Sequence, residues 1–281
     1  MVRINELDPS ASPLDYYGAE LRRLRESAGL NQGELGDCIF CTGSLVGQVE
    51  TAKKVPTRDF SERLDAALGT DGAFSRLVGL VLRSQLPSWF QAYAEMEAKA
   101  TYISTFQSQV VYGLLQTEAY ARALLSIEHT DKLDELVAAR MDRQRILLRD
   151  QPPVICVVLD EALLYREVGG RDVMREQLGR LLDNRNDWLQ VQVLPFSSGQ
   201  HAGMIGAFNL LRFESDPDLF YAETYETPYM TANTQLIRER SVGYARLQAE
   251  ALSPRESAAL IARVMEERYG HQPEPDGRGV A

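Results

Sequence analysis

"CTGSLVGQVETAKKVPT", residues Cys41 to Thr57, decides how this chain is read. Thr42 is a good N-cap, because its side-chain oxygen can accept from a free amide of the first helical turn. A helix follows from Gly43 to about Thr51, with Val46 and Val49 facing inward. Lys53 and Lys54 form a basic elbow, and Pro56, which lacks an N–H, forbids continuation. Thr57 caps the next helix. A short helix entered and left by tight joints has the dimensions of one that lies in a DNA groove. Gly43 and Gly47 soften it, since each costs about 1 kcal/mol relative to alanine in a helix interior.

The flanking segments extend the pattern. A helix is expected from Tyr16, with Leu21 and Leu24 three apart and Arg22, Arg23 and Arg25 interleaved, ending at Gly29. A second short helix spans about Gln32 to Ile39, with Leu35 and Ile39 on its inner face. After Thr57, Phe60, Leu64, Ala67 and Leu68 make an apolar face that "GTDG" at 69–72 ends, and "FSRLVGLVLRSQL" reads as a fifth helix. Tight joints at Gly29–Asn31, Phe40–Thr42 and Val55–Thr57 give the geometry of a helix-turn-helix.

The whole chain sets limits on this reading. Its 281 residues allow two domains and a sizeable core. A net charge of −10 argues against a general nucleic-acid coat protein, because phosphate neutralisation needs clustered Lys and Arg. It leaves a local DNA-reading module open. Three cysteines fit a reducing compartment better than a disulfide framework. No run of eighteen apolar residues is present, and "MVRINELDPSASPLDYYG" has no stretch of signal-peptide type. A cytoplasmic location without membrane contact is the expectation.

Beyond "QLPSWF" at 85–90, the candidate boundary, the pattern changes. Strands are expected at 101–107, at "VICVVLD" (154–160) and at "LQVQVLP" (189–195). "GAFNLLRF" and "DLFYAETY" flank "ESDP" as a hairpin. Helices are expected at 117–125, 133–149, 172–187 (inner face Met174, Leu178, Leu181 and Leu182), 233–251 and 254–268. The expected organisation is a flexible N-terminus (1–15), a helix-turn-helix domain (16–86), a mixed α+β domain (87–268) and a disordered tail (269–281).

"LRRLRESAGLNQGELGD" followed by "SLVGQVETAKKVP" resembles the lambda/434-repressor-like (XRE-type) DNA-binding domains, over roughly Tyr16 to Leu68. "YGLLQTEAYARALL", "AARMDRQRILL", "LDEALLYREVGG", "QLGRLL", "VQVLPFSSGQHAG", "GAFNLLRF" and "ALSPRESAALIARV" resemble the long C-terminal domain of actinomycete XRE-type regulators. The fold class implied is α+β, mostly helical: an all-α lambda-repressor-like N-terminal domain followed by a mixed α+β domain. Such regulators are commonly encoded beside a small partner protein and described as antitoxin-like.

The resemblance implies site roles. Gln32 reaches a phosphate or base edge, Thr42 donates to phosphate, and Ser44 and Gln48 reach base edges. Lys53 and Lys54 clamp the backbone, and Arg25 with Glu50 forms a structural ion pair. Three departures stand out. Phe40 replaces the glycine of the turn, which suggests a distorted turn, Tyr112 replaces a usual proline, which suggests a slightly altered one, and Gly43 and Gly47 replace long polar side chains. The two glycines suggest a helix whose backbone approaches DNA closely, with sequence choice leaning on shape or dimer spacing.

Other constellations are weaker. Cys38-x-x-Cys41 lacks the four ligands of a structural zinc, since only Cys156 and the scattered His129, His201 and His271 remain. Asp160–Glu161 reads as the acidic first turn of a helix, "DEALLYREV". Strand alternation separates Glu226 from Tyr221, Glu223 and Tyr225, and His201 lies in a glycine-rich loop, solvent-facing by expectation. No catalytic set, metal site or cofactor motif emerges.

The expectation is therefore a sequence-specific regulator that binds double-stranded DNA as a homodimer and is controlled through its C-terminal domain by a small protein partner or an unidentified small-molecule ligand. A protein-interaction module that binds a small basic protein, with DNA secondary, is the competing reading. An enzyme with a pocket in the second domain is the third.

Overall fold

Pro13 sits at the first helical position, and Ser12 accepts from the Asp15 amide at 3.1 Å, so the first helix, α1 (Pro13–Ser27), starts there. That is three residues before the Tyr16 start expected from leucine spacing, because the cap and not the apolar face sets the boundary. The computed structural model describes residues 7–86, 88–127, 131–183, 187–223 and 228–270. Expectations for His129, Tyr225, Glu226, His271 and the tail from 271 fall outside the described residues. By its contacts the chain divides into two compact units, Met1–Gln91 with Asp134–Asp142, and Ala92–Leu133 with Arg143–Ala281.

In the first unit, α2 (Gln32–Cys38) opens with a reciprocal cap: Asn31 accepts from the Glu34 amide, and Glu34 accepts from the Asn31 amide. α3 (Gly43–Glu50) is capped by Thr42, and α4 (Arg58–Leu68) by Thr57. Gly69, left-handed at φ 63°, ends α4. Tyr17, Leu21, Leu35, Val46, Val49 and Leu64 are completely or almost completely buried and form the centre of the core. Ala67, expected on the inner face of α4, is exposed. α8 (Leu133–Arg143) contributes residues 134–142 to this unit, and Ala138 packs on its core.

α5 (Ala73–Ser84) has no cap of its own. Asp65, reaching over from α4, accepts from the amides of Phe74 (2.9 Å) and Ser75 (2.8 Å) and from the hydroxyls of Thr70 and Ser75. Burial pushes the Asp65 carboxyl up, but the hydrogen bonds outweigh it and hold the group below the ordinary aspartate value. Asp65→Ala is expected to cost about 1–2 kcal/mol in urea unfolding at pH 7. A carboxyl with a depressed folded-state pKa stabilises above its unfolded value of about 3.9 and loses that contribution as pH falls through the folded one. The gap between variant and wild type is therefore expected to narrow in acid. A gap that stays constant from pH 7 to below 3 would refute the capping account.

The second unit is built on a six-stranded sheet of order β3-β2-β1-β4-β5-β6. β1 (Tyr102–Gln107), β2 (Val154–Asp160) and β3 (Leu189–Leu194) are parallel. β4 (Phe208–Arg212), β5 (Leu219–Ala222) and β6 (Tyr229–Thr231) continue antiparallel. Parallel neighbours need crossovers. α7 (Glu118–Leu125) lies between β1 and β2, and α9 (Ala162–Tyr165) and α10 (Arg171–Leu182) lie between β2 and β3. Asp160–Glu161 therefore opens only a four-residue helix, shorter than expected, with Asp160 still in the strand. α6 (Ser88–Glu97) and the short β6 were not expected from the sequence. α11 (Thr234–Glu250) and α12 (Pro254–Tyr269) complete the unit, α12 with a Ser253–Glu256 capping box.

Alternation gives the sheet two faces. Phe106, Val158, Phe208 and Phe220 meet Ile237, Tyr244 and Leu247 of α11, and the Tyr244 hydroxyl donates to the Cys156 carbonyl at 2.7 Å. Thr105 and Asn209 form a hydrogen-bonded pair on the opposite face, where the Asn209 amide donates to the Tyr93 hydroxyl at 3.0 Å. The Tyr93 ring stacks on Tyr221 at 3.9 Å. Behind them Glu97, 1% exposed, is gripped by Arg143 through two nitrogens at 2.9 Å and accepts from Tyr112 (2.7 Å) and Tyr93 (3.0 Å).

The Tyr112 substitution does not alter a turn. Its φ of −53° and ψ of 133° are angles a proline also adopts. What the residue adds is a buried hydroxyl for Glu97. The sequence and the structure agree on an α+β fold, an all-helical unit followed by a mixed sheet with helices.

Candidate nucleic-acid interface

Glu50, the last residue of α3, is completely buried. Arg25 of α1 donates to it from Nε (2.5 Å) and Nη2 (3.1 Å), and Gln32 of α2 donates from its amide (2.8 Å). Arg25 Nη1 also donates to the Leu30 carbonyl at 2.7 Å, so the helix joint is held by the same guanidinium. One carboxylate thus ties three helices, and a buried charge is tolerable only when matched in this way.

Two expectations change here. Gln32 does not extend outward to a phosphate or base edge, because its amide is turned inward to Glu50. Gly43 and Gly47 are not open toward a groove either. A Cβ on Gly43 would stand 2.9 Å from the Gly33 backbone, and one on Gly47 would stand 2.9 Å from Gln32 Oε1. A Cβ on Gly36 would be 2.7 Å from the Cys41 carbonyl oxygen. Gly36 and Gly43 let α2 and α3 pack backbone to backbone, and Gly47 leaves room for the Gln32 side chain. Close approach to DNA is not what requires them.

The two α3 glycines differ in what they meet. Gly43→Ala collides with backbone and is expected to cost about 1–3 kcal/mol. Gly47→Ala presses on the Gln32 amide, which is bonded to Glu50, but gains helix propensity and meets no backbone, so a smaller loss than that of Gly43→Ala is expected. Urea unfolding of both variants checks this, and equal losses would contradict it.

Phe40 keeps the left-handed conformation that a glycine would supply, at φ 57°, and the turn closes with the Cys41 amide donating to the Gly36 carbonyl at 2.9 Å. The turn is not distorted. The conformation costs an L-residue roughly 1–2 kcal/mol, and the ring is left 85% exposed.

Thr42, Ser44, Gln48 and Lys53 are exposed. Ser44 and Gln48, four apart, lie on one side of α3. Among the described residues, the side chains of Ser44, Gln48 and Lys53 make no hydrogen bond or ion pair. Lys54 differs, because its Nζ is 3.5 Å from Asp134 of α8. Arg58 pairs with Asp142 of the same helix. Sequence reasoning missed both acids. They sit eight positions apart, a little over two turns, and that spacing was the available signal.

Cys38 is exposed, while Cys41 is half-buried, with burial pushing its thiol up. Among the described residues no three His, Cys, Asp or Glu side chains gather to hold a metal ion.

Residues 17–76 match a helix-turn-helix domain, which supports a DNA-binding regulator with DNA as its partner. Residues 90–263, more than half of the chain, match a domain of unknown function, DUF5753. The chain belongs to the DUF5753 family. No curated protein matches the chain, and no solved structure does. Within the DUF5753 region, His201 is largely buried and not solvent-facing: its Nδ1 accepts from the Gly203 amide, and its Nε2 lies 3.6 Å from Asp160. Glu161 accepts from the Phe196 amide at 2.7 Å, and Glu223 from the Tyr221 hydroxyl at 3.2 Å. No helix among the described residues is long and apolar enough to cross a membrane.

Proposed function

We propose that this protein is a sequence-specific, XRE-type transcription regulator that lays α3 in the major groove of double-stranded DNA and works as a cytoplasmic homodimer. The observation that carries the reading is the exposed polar pair Ser44 and Gln48 on a helix whose other side is locked by Glu50, with the exposed Lys53 in the turn that follows it. Gln48 is suited to adenine, Ser44 to several base edges, and Thr42 and Lys53 to phosphates. Lys54 joins them when it exchanges Asp134 for phosphate. A single helix of eight residues offers few base contacts, so two half-sites supply affinity. The DUF5753 region, resembling the antitoxin-like domain of actinomycete regulators, is the regulated part, through a small partner protein or a ligand. The reading includes no catalytic step.

A selection on random duplex DNA, repeated across salt, tests it. A defined motif is expected, with binding that falls steeply as salt rises. Lys53→Ala is expected to weaken all sequences alike and to reduce the salt slope by about one. Gln48→Ala is expected to relax preference at one position, at about 1–3 kcal/mol. Binding without motif or salt dependence would sink the reading.

A further inference from the structure

Met204 and Ile205, in the short helical turn Ala202–Ile205 before β4, are 71% and 87% exposed. Two large apolar side chains turned out together are rare on a surface that meets only water. Ile205 stands beside a pocket of ≈ 280 Å³ in the second unit, whose apolar walls include Phe208 and Phe220 on the sheet and Leu236 on α11. Gly243 of α11 also lines it. Crowding does not require that glycine, because the nearest atom to an added Cβ is the Ala202 Cβ at 4.0 Å, yet it costs a helix interior about 1 kcal/mol relative to alanine. Tyr229, exposed on β6, borders the same pocket. β6 ends the sheet, and native proteins cover such an edge.

The charges here are of both signs. Glu223 and Glu239 line the pocket, and so does Arg240. The donors to the two carboxylates, the Tyr221 hydroxyl and the Gln235 amide, are neutral and leave their charge in place. Among the described residues neither carboxylate has a cationic partner and Arg240 has no carboxylate partner. One face thus carries an apolar projection, an apolar recess and unmatched charges of both signs. Such a face complements a copy of itself turned through a two-fold axis, where each contact occurs twice. A small molecule in the pocket would leave Met204 and Ile205 in water.

We propose that this face is where two copies of the chain meet, with Ile205 of each seated in the other's recess and Arg240 of each against the other's carboxylates. The assignment deepens the homodimer part of the reading above and rests on it. Sedimentation equilibrium of the full chain, without DNA, tests it. A reversible monomer–dimer equilibrium is expected. Ile205→Asp is expected to weaken it about a hundredfold or more, because the change acts twice, and to leave the unfolding midpoint unchanged. Arg240→Glu alone is expected to weaken association, and so is Glu223→Arg/Glu239→Arg alone, since like charges then face each other. An equimolar mixture of those two variants is expected to form heterodimers about as tight as the wild-type dimer, since every reversed charge then meets its opposite.

A dimer unchanged by Ile205→Asp and by both charge reversals overturns this face and leaves the homodimer reading standing. A mixture no tighter than its separate components overturns it as well. If Ile205→Asp lowers the midpoint, the mixture decides alone. A chain that is monomeric at every concentration removes both this face and the homodimer, and leaves DNA binding to the selection described above.

Discussion

Glu50→Ala is expected to remove about 3–5 kcal/mol of stability from the first unit and to abolish DNA binding with it. The size follows from what the substitution leaves behind. Arg25, only 8% exposed, keeps its charge while its two hydrogen bonds to the carboxylate vanish, and Gln32 loses its acceptor as well. An arginine guanidinium stays protonated throughout the accessible pH range even without that carboxylate. It has no neutral form to retreat to. A typical domain has only about 5–15 kcal/mol of net stability, so the helix-turn-helix would be largely unfolded or loosened at 37 °C. Urea unfolding followed by circular dichroism measures the loss, and amide exchange assigns it to residues of α1 to α3. A loss below about 1 kcal/mol would mean that Arg25 finds water easily and that the pair is not structural.

The second large effect is expected in the other unit. Arg143→Met should cost about 3–5 kcal/mol, because Glu97 would keep two tyrosine hydroxyls and lose the cation that balances it. Glu97→Gln alone should also be costly, since it strands Arg143. The double variant Glu97→Gln/Arg143→Met is expected to recover part of the loss, because neither unbalanced charge then remains. A double-mutant cycle reads the coupling, and simple additivity of the two losses would show that the pair does not act as a unit. Amide exchange separates this transition from that of the first unit, whose helices should be protected as before.

Much of the architecture is written locally. Ser12, Asn31, Thr42, Thr57, Thr117, Asn233 and Ser253 each accept from an amide three residues ahead, so helix starts are visible within a single turn of sequence. "VICVVLD" becomes the buried β2 because only a strand accommodates a short apolar run of that composition at the centre of a sheet. The exposed row on α3 followed from helical spacing and the family resemblance.

The misreadings share a cause. α6 overlaps a stretch whose proline suggests an ending, and β6 is too short to show alternation. Gly43 and Gly47 look like gaps in a groove-facing helix until α2 is seen against them. Lys54 looks like a free phosphate clamp until Asp134, eighty positions away, is placed beside it. Separations of 15 and 46 positions likewise hid Tyr112 and Arg143 from Glu97.

What the sequence by itself determined about this protein is most of the helices and strands and most of their inner faces, since caps, apolar periods and proline stops act over three or four residues. Which polar groups face each other was decided only by the tertiary structure. Burial turns Glu50 and Glu97 into obligatory partners, and a buried charge can be satisfied by any residue the fold brings near, however far along the chain.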